Sequence, residues 1–250
     1  MKYTLMFLDT ETTGNQEQDR LMQVAWKYPD VDCVEAYFKP PLPISVESME
    51  VTHITNDMVA DKEPFKESST WHELKKKFDD PHMILVAHNA PFDVGMLEKE
   101  DLYPPLVIDT LRVARALDTE AKLPAYRLQY LRYLLELDKE IDQPIQAHDA
   151  KGDVIVLEKL FDRLLQKIQA ETPDIETALE RMIQISKEPV LFRRFSFGKY
   201  KDQLITDVAK SDKGYLEWLY RQKKESESDE TDWLHTLEKA LGIPEQPTIT

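Results

Sequence analysis

Phe7-Leu8-Asp9-Thr10-Glu11-Thr12-Thr13-Gly14 closes an apolar run that begins at Tyr3. The run reads as a buried central strand, and the glycine after it as a turn. Side chains alternate along a strand, so Asp9 and Glu11 point to one side and can share a cation. Such a pair alone is weak evidence, because carboxylates are common at strand ends.

Outward from this strand, Leu21 to Tyr28 and Cys33 to Lys39 read as the next two strands, with Pro29 and Asp30 in the turn of an antiparallel meander. A proline-rich connection from Pro40 to Pro43 leads to THITNDMV, residues 52–59. After a helix around Trp71 to Phe78, residues Met83 to Ala87 make another buried strand and run into His88-Asn89-Ala90-Pro91. Pro91 suits the first turn of a helix, where its missing N–H costs nothing. Val107 to Asp109 reads as a short strand followed by a helix, and Leu128 to Leu137 as a further helix. From Asp149 onward, Val154, Leu157, Phe161, Leu164, Leu165 and Ile168 mark one face of a long amphipathic helix. Strands alternating with helices predict an α/β fold.

The chain has 250 residues and a formal net charge of −15. That charge argues against a protein coating nucleic acid through a long basic groove. It does not exclude a nucleic-acid enzyme, since carboxylates that hold metal inflate the negative count and bound cations offset it. Cys33 is the single cysteine, so an intramolecular disulfide and a cysteine-rich metal site are both excluded. The start, Met1 to Leu8, is far short of a signal-peptide core or membrane span, and a cytoplasmic location with no membrane partner is expected.

Two further motifs carry chemistry. The strand at Met83 to Ala87 delivers Asp93 into the first turn of the next helix, where the helix dipole stabilises a carboxylate even without metal. His148 and Asp153, in HDAKGD, are five residues apart and would lie on different faces of one regular helix. His148 is therefore expected on the preceding loop, with Asp149 or a neighbour capping the helix and Asp153 facing a cleft. Asp109 reads as a helix cap rather than a ligand, Phe92 as core, and the Tyr126, Tyr130 and Tyr133 stripe as packing against the sheet.

Asp9, Glu11, Asp93 and Asp153 with His148 resemble, in order and context, the four-acid, one-histidine pattern of the DEDDh 3′→5′ exonucleases, the superfamily of the polymerase III proofreading subunit. HNAPFD and H-x-A-x-x-D are similar to its second and third motifs, and the outline extends from Met1 to Ile168. The resemblance implies a ribonuclease H-like mixed five-stranded sheet flanked by helices, with a small C-terminal α+β unit. It implies two Mg²⁺ or Mn²⁺ ions, hard cations that prefer oxygen ligands. Asp9 would bridge them, Glu11 and Asp153 would complete the first site, and Asp93 would orient the second through water. His148 would take a proton from the attacking water.

Substrate contacts follow from the same resemblance. Thr10 and Thr12 flank the acids, and the backbone of Thr12 to Gly14 would approach the terminal sugar unless Gly14 merely ends the strand; Asn89 reads as ordering the loop before the helix, though the resemblance places it beside the site. His53, Ile54 and Thr55 resemble the segment that meets the terminal nucleotide, an apolar side chain wedging against a base. The implied partner is a DNA 3′ end, single-stranded or duplex. RNA trimming by the same chemistry, and a non-catalytic binding subunit, are the alternatives, and a homodimer is allowed.

The rest of the chain divides, on this reading, into an exonuclease domain over residues 1–170, a helical linker over 171–192, a basic and aromatic unit over 193–224, and an acidic segment with a terminal helix over 225–250. FSFGKYKDQLITDVAKSDKGYLEWLY resembles the C-terminal element of the exodeoxyribonuclease X branch. Ser211-Asp212-Lys213-Gly214 departs from that element, which usually has proline before the glycine, and predicts a looser turn. Between Arg193 and Lys224 nine Lys or Arg face four Asp or Glu, and the next stretch, ESESDETD, contributes five acids that cancel the excess. Aromatics interleaved with these cations suit a single-strand platform, and equally the core of a small unit.

Overall fold

A computed structural model describes residues 2–141, 149–228 and 230–244. Five strands form one mixed sheet: β1 (Thr4–Thr12), β2 (Leu21–Lys27), β3 (Val34–Tyr37), β4 (Met83–Ala87) and β5 (Leu106–Asp109), in the order β3-β2-β1-β4-β5. β2 runs antiparallel to β1 and β3, while β4 runs parallel to β1 and β5. The helices are α1 (Val46–Thr52), α2 (Asn56–Val59), α3 (Ser69–Phe78), α4 (Ala90–Glu98), α5 (Thr110–Leu117), α6 (Leu128–Leu134), α7 (Ala150–Gln169), α8 (Ile175–Lys187), α9 (Ile205–Ser211), α10 (Lys213–Lys224) and α11 (Thr231–Leu241). Among the described residues no helix is long and apolar enough to cross a membrane.

β1 is apolar on both faces because both are covered. Met6 and Leu8 join a cluster with Leu74, Phe78 and Leu97 from α3 and α4. Phe7, on the other face, meets Phe161 of α7 edge-on, ring centroids 5.2 Å apart. α7 buries Val154, Leu157, Phe161, Leu164 and Ile168, and each such side chain contributes about 1.5–3 kcal/mol of transfer free energy. The Lys27–Glu158 ion pair, nearly buried, ties β2 to the same helix.

Packing divides the chain into two units, Met1–Val113 with Ala125–Ser186, and Ala114–Pro124 with Lys187–Thr250. This differs from the expected boundary at residue 170 and linker over 171–192. Most of that stretch is α8, which belongs to the sheet: Tyr3 Oη donates to Glu180 at 2.8 Å and the Asp109 N–H to Ser186 Oγ at 2.8 Å. The second unit has its own core of Phe195, Ile205, Val208, Leu216, Leu219, Trp233 and Leu237. It also takes in a segment distant in sequence, since the Arg115 guanidinium lies 4.8 Å from the Phe192 ring centroid. The turn at Asp212 is held firmly, against the expected looseness. The Asp212 carboxylate accepts from Tyr200 Oη at 2.7 Å, Lys199 Nζ at 2.9 Å and the Tyr215 N–H at 3.1 Å, and so caps α10.

Candidate active site

The parity of β1 places the acids. Phe7, Asp9 and Glu11 face α7, and Asp153 in the first turn of that helix meets them. Carboxylate oxygens of Asp9, Glu11 and Asp153 all lie within 4.8 Å of one another, a group able to hold a metal ion. The even residues face the other layer, where Thr10 Oγ1 donates to Asp93 Oδ1 at 2.8 Å. Asp93 therefore stands beside the cluster rather than in it. β1 and β4 end at the same edge of the sheet, and ligands of open α/β sheets bind outside the carboxyl ends of parallel strands.

Bringing these carboxylates together has an electrostatic cost. Burial, then repulsion from Asp93, Asp153, Glu11 and Asp149, pushes the Asp9 carboxyl well above the carboxylate range. Burial, with Asp153, Asp93 and Asp149, pushes Glu11 up to about 8. Asp93 rises to about 7, chiefly through burial, although the Thr10 hydroxyl opposes the shift. Without a cation the site holds protons at neutral pH. An oxygen-only donor set of this charge fits a hard divalent cation.

Two amides that the sequence did not single out hold the acids in place. Gln129 Nε2 donates to Asp153 Oδ1, and Arg132 Nη1 donates to Gln129 Oε1 at 3.1 Å. Gln23, across from Glu11 in the β1–β2 register, donates to Glu35 at 3.0 Å, Tyr37 at 2.9 Å and Asp149 at 3.2 Å, and accepts from the Ala150 N–H at 3.4 Å. It fastens the start of α7 to the sheet. Asp149 is the residue before α7, but its side chain caps no helix N–H. A lone Gln on a strand or short helix carries no sequence signal of such a role.

A cleft of about 630 Å³ opens beside Glu11, lined among others by Thr12, Gly14, Ser48, Val51, Thr52 and Phe92. Here the structure revises several expectations. Ile54, read as a base wedge, is buried with Met22, Ile44 and Val59 and offers no surface. His53 ends α1 in the left-handed region at φ 60°, and Thr55 caps α2. The exposed apolar side chain at the cleft is Val51. Phe92 lines the cleft instead of lying wholly in the core. Thr10 is buried on Asp93, and Thr12 Oγ1 donates to the Gly14 carbonyl at 2.7 Å. Gly14 has φ +155°, an angle that side chains rarely adopt, and a Cβ there would stand 2.5 Å from Asp19 Oδ2, so a larger residue would strain the backbone and displace that carboxylate.

The remaining candidates are also placed. Asn89 begins α4 in the left-handed region at φ 67°, and its N–H donates to Asp109 Oδ1 at 2.9 Å. Asp109, immediately before α5, also accepts from the Leu111 N–H at 2.9 Å, so it caps that helix, as read from the sequence. His88 Nε2 donates to the Tyr126 carbonyl at 2.7 Å. Tyr133 is 64% exposed, so the tyrosine stripe does not pack on the sheet along its length. His148 lies outside the described residues.

A five-stranded sheet of this order, with three carboxylates meeting where β1 and α7 converge, defines a nuclease of ribonuclease H-like fold. The chain belongs to the exonuclease family, whose pattern matches residues 6–161, and residues 195–224 match a family described as exodeoxyribonuclease X-like C-terminal. It is 31% identical over 224 residues to exodeoxyribonuclease 10 of Escherichia coli K12, covering 86% of this chain and 90% of that one. A DNA polymerase III of PolC type from Staphylococcus saprophyticus is 30% identical over 191 residues, 70% of this chain but 12% of the polymerase. Among solved structures, exonuclease X in complex with 5′-overhanging duplex DNA aligns with a TM-score of 0.56 at 26% identity, over 73% of this chain and 99% of that one. An Escherichia coli exonuclease I complex with single-stranded DNA shares the fold, with a TM-score of 0.55 at 21% identity over 72% of this chain and 43% of that one.

Proposed function

We propose that this enzyme hydrolyses DNA from the 3′ end, releasing nucleoside 5′-monophosphates, with two Mg²⁺ or Mn²⁺ ions at the active site. The observation that carries the reading is the convergence of Asp9, Glu11 and Asp153 within 4.8 Å. Asp9, Glu11 and Asp153 would hold one ion, and Asp9 with Asp93 would help to hold and orient a second. When bound, the ions supply charge stabilisation for the entering and leaving oxygens of an in-line displacement. The protein supplies the rest. Gln129 and Gln23 hold Asp153 and the start of α7 in register, and the cleft beside Glu11 receives the terminal nucleotide between Val51 and Phe92. His148 takes the proton of the attacking water. A cytoplasmic setting in DNA repair or end trimming, and a monomer or homodimer as the working form, complete the proposal.

The test is a time course on 5′-labelled single-stranded DNA and matched RNA with Mg²⁺, Mn²⁺ or EDTA. DNA is expected to shorten stepwise from the 3′ end, with cleavage abolished by EDTA and by Asp9→Ala or Asp153→Ala, and slowed about 10²-fold by His148→Ala. Undiminished cleavage by Asp9→Ala would end the two-ion proposal, and a stronger ladder on RNA would move the substrate class.

A further inference from the structure

We propose that Asp19 is a positioning residue for the reaction: it locks the loop between β1 and β2, residues 13–20, as a preformed wall of the cleft that receives the terminal nucleotide, and Lys99 fastens the same loop to α4. The inference deepens the nuclease reading above and rests on it for the identity of the substrate.

The loop lines the cleft beside Glu11 together with Ser48, Val51 and Thr52 of α1. Asn15, Gln16, Glu17 and Gln18 are exposed and polar, so no apolar side chain anchors this stretch and its shape depends on hydrogen bonds. Asp19 supplies the acceptors. Its Oδ1 accepts from Thr13 Oγ1 at 2.8 Å and its Oδ2 from the Gln16 N–H at 2.7 Å. The missing Cβ of Gly14 leaves room for the carboxylate to pack against the backbone there. Thr13 Oγ1 in turn accepts from the Arg20 N–H at 3.1 Å. One carboxylate thus joins the exit from β1, the middle of the loop and the return to β2. A second tie comes from Lys99, at the end of α4, whose Nζ donates to the Gln16 carbonyl at 2.7 Å and the Asp19 carbonyl at 3.3 Å. The helix that carries Asp93 and the wall of the cleft therefore share one frame.

A carboxylate that lines a cleft for a phosphodiester repels it, so attraction to substrate is not what Asp19 contributes. Both of its oxygens are instead engaged by donors of its own loop. What remains is shape. A wall ordered before the nucleotide arrives removes from binding the cost of ordering several exposed polar residues. Asparagine can make the same two contacts without the charge, its Oδ1 accepting from the Gln16 N–H and its Nδ2 donating to the Thr13 hydroxyl; alanine can make neither. Shape and charge are thereby separable by substitution.

The experiment uses the full chain and has two arms: steady-state hydrolysis of single-stranded DNA with Mg²⁺, and amide hydrogen exchange of residues 13–20 in EDTA without DNA. Asp19→Ala is expected to raise KM about 10-fold, the scale of ordering one or two further side chains on binding. Its kcat should stay within about 2-fold of wild type, because Asp9, Glu11 and Asp153 are untouched and the interaction lost is one of binding. Exchange in the loop should quicken. Asp19→Asn should restore both KM and exchange to near wild type. Lys99→Met, which keeps the stem and removes the donor, should raise KM in the same direction by a smaller factor. An unchanged KM in Asp19→Ala would overturn the proposal, as would a fall in kcat alone. Equal impairment of Asp19→Asn and Asp19→Ala would overturn it too, by assigning the effect to charge. Should Asp19→Ala fail to fold, an unchanged KM in Lys99→Met would do the same. Failure of the nuclease reading itself is distinguishable: wild type would then cut no DNA, and the role in positioning substrate would fall with it even if exchange in the Asp19→Ala loop still quickened.

Discussion

Replacing Glu11 by Gln should make the metal-free protein more stable at alkaline pH. In the folded chain the Glu11 carboxyl is raised from 4.5 to about 8, by burial first and by neighbouring carboxylates second. Between these two values the folded state holds a proton that the unfolded state has released. The stability that goes with that proton is present below pH 4.5 and is lost as pH rises through 8. The full displacement corresponds to at most about 5 kcal/mol, and sharing of protons with Asp9 reduces it. An effect of roughly 2 kcal/mol is expected, or about 4–8 °C in melting temperature for a chain of this size. The assay is thermal unfolding of wild type and Glu11→Gln in EDTA at pH 5, 7 and 9. The variant should melt higher at pH 9, and the two should converge toward pH 5. Added Mg²⁺ should stabilise wild type most at pH 9 and the variant much less, because a site with one carboxylate fewer gains less from the cation. Equal melting of wild type and variant at pH 9 without metal would refute the claim that clustered carboxylates strain the site.

Two other outcomes follow from the contacts around the acids. Gln129→Ala removes the amide that orients Asp153 and should raise the Mg²⁺ concentration for half-maximal hydrolysis by about 10-fold or more, the usual cost of losing a ligand's supporting hydrogen bond; an unchanged Mg²⁺ requirement would remove Gln129 from the site. Gly14→Ala drives a methyl into Asp19 at a backbone angle that side chains avoid, and should cost about 1–3 kcal/mol, read as a lower urea midpoint.

The central frame was legible from residues 3–12 and 83–93 because long apolar runs ending in acids leave few choices: a strand buried on both faces must be central, and its last side chains must stand at an edge. α7 was equally legible, since its apolar stripe repeats over five turns. The cleft was harder to read. Ile54 sits in a short segment where two small helices follow each other, and which of its neighbours faces the cleft depends on how His53 turns the chain at φ 60°. No periodicity of four or seven residues reports that. Gln23 and Gln129 act on Asp149 and Asp153, 126 and 24 residues away, which a single amide cannot announce. Ala114–Pro124 joins the second unit through contacts such as Arg115 on Phe192, and a connection of that range has no local signature. Asp212 shows the opposite case: a departure from a familiar turn predicted looseness, but its carboxylate replaces the missing proline with three hydrogen bonds.

Titration of Mn²⁺ into wild type, Asp9→Asn and Asp153→Asn, followed by loss of the free-ion electron paramagnetic resonance signal, tests the central claim most directly. Wild type should bind Mn²⁺ and each variant should lose at least about 10-fold in affinity, because the oxygens of Asp9, Glu11 and Asp153 act as one site. Wild-type affinity in both variants would contradict it.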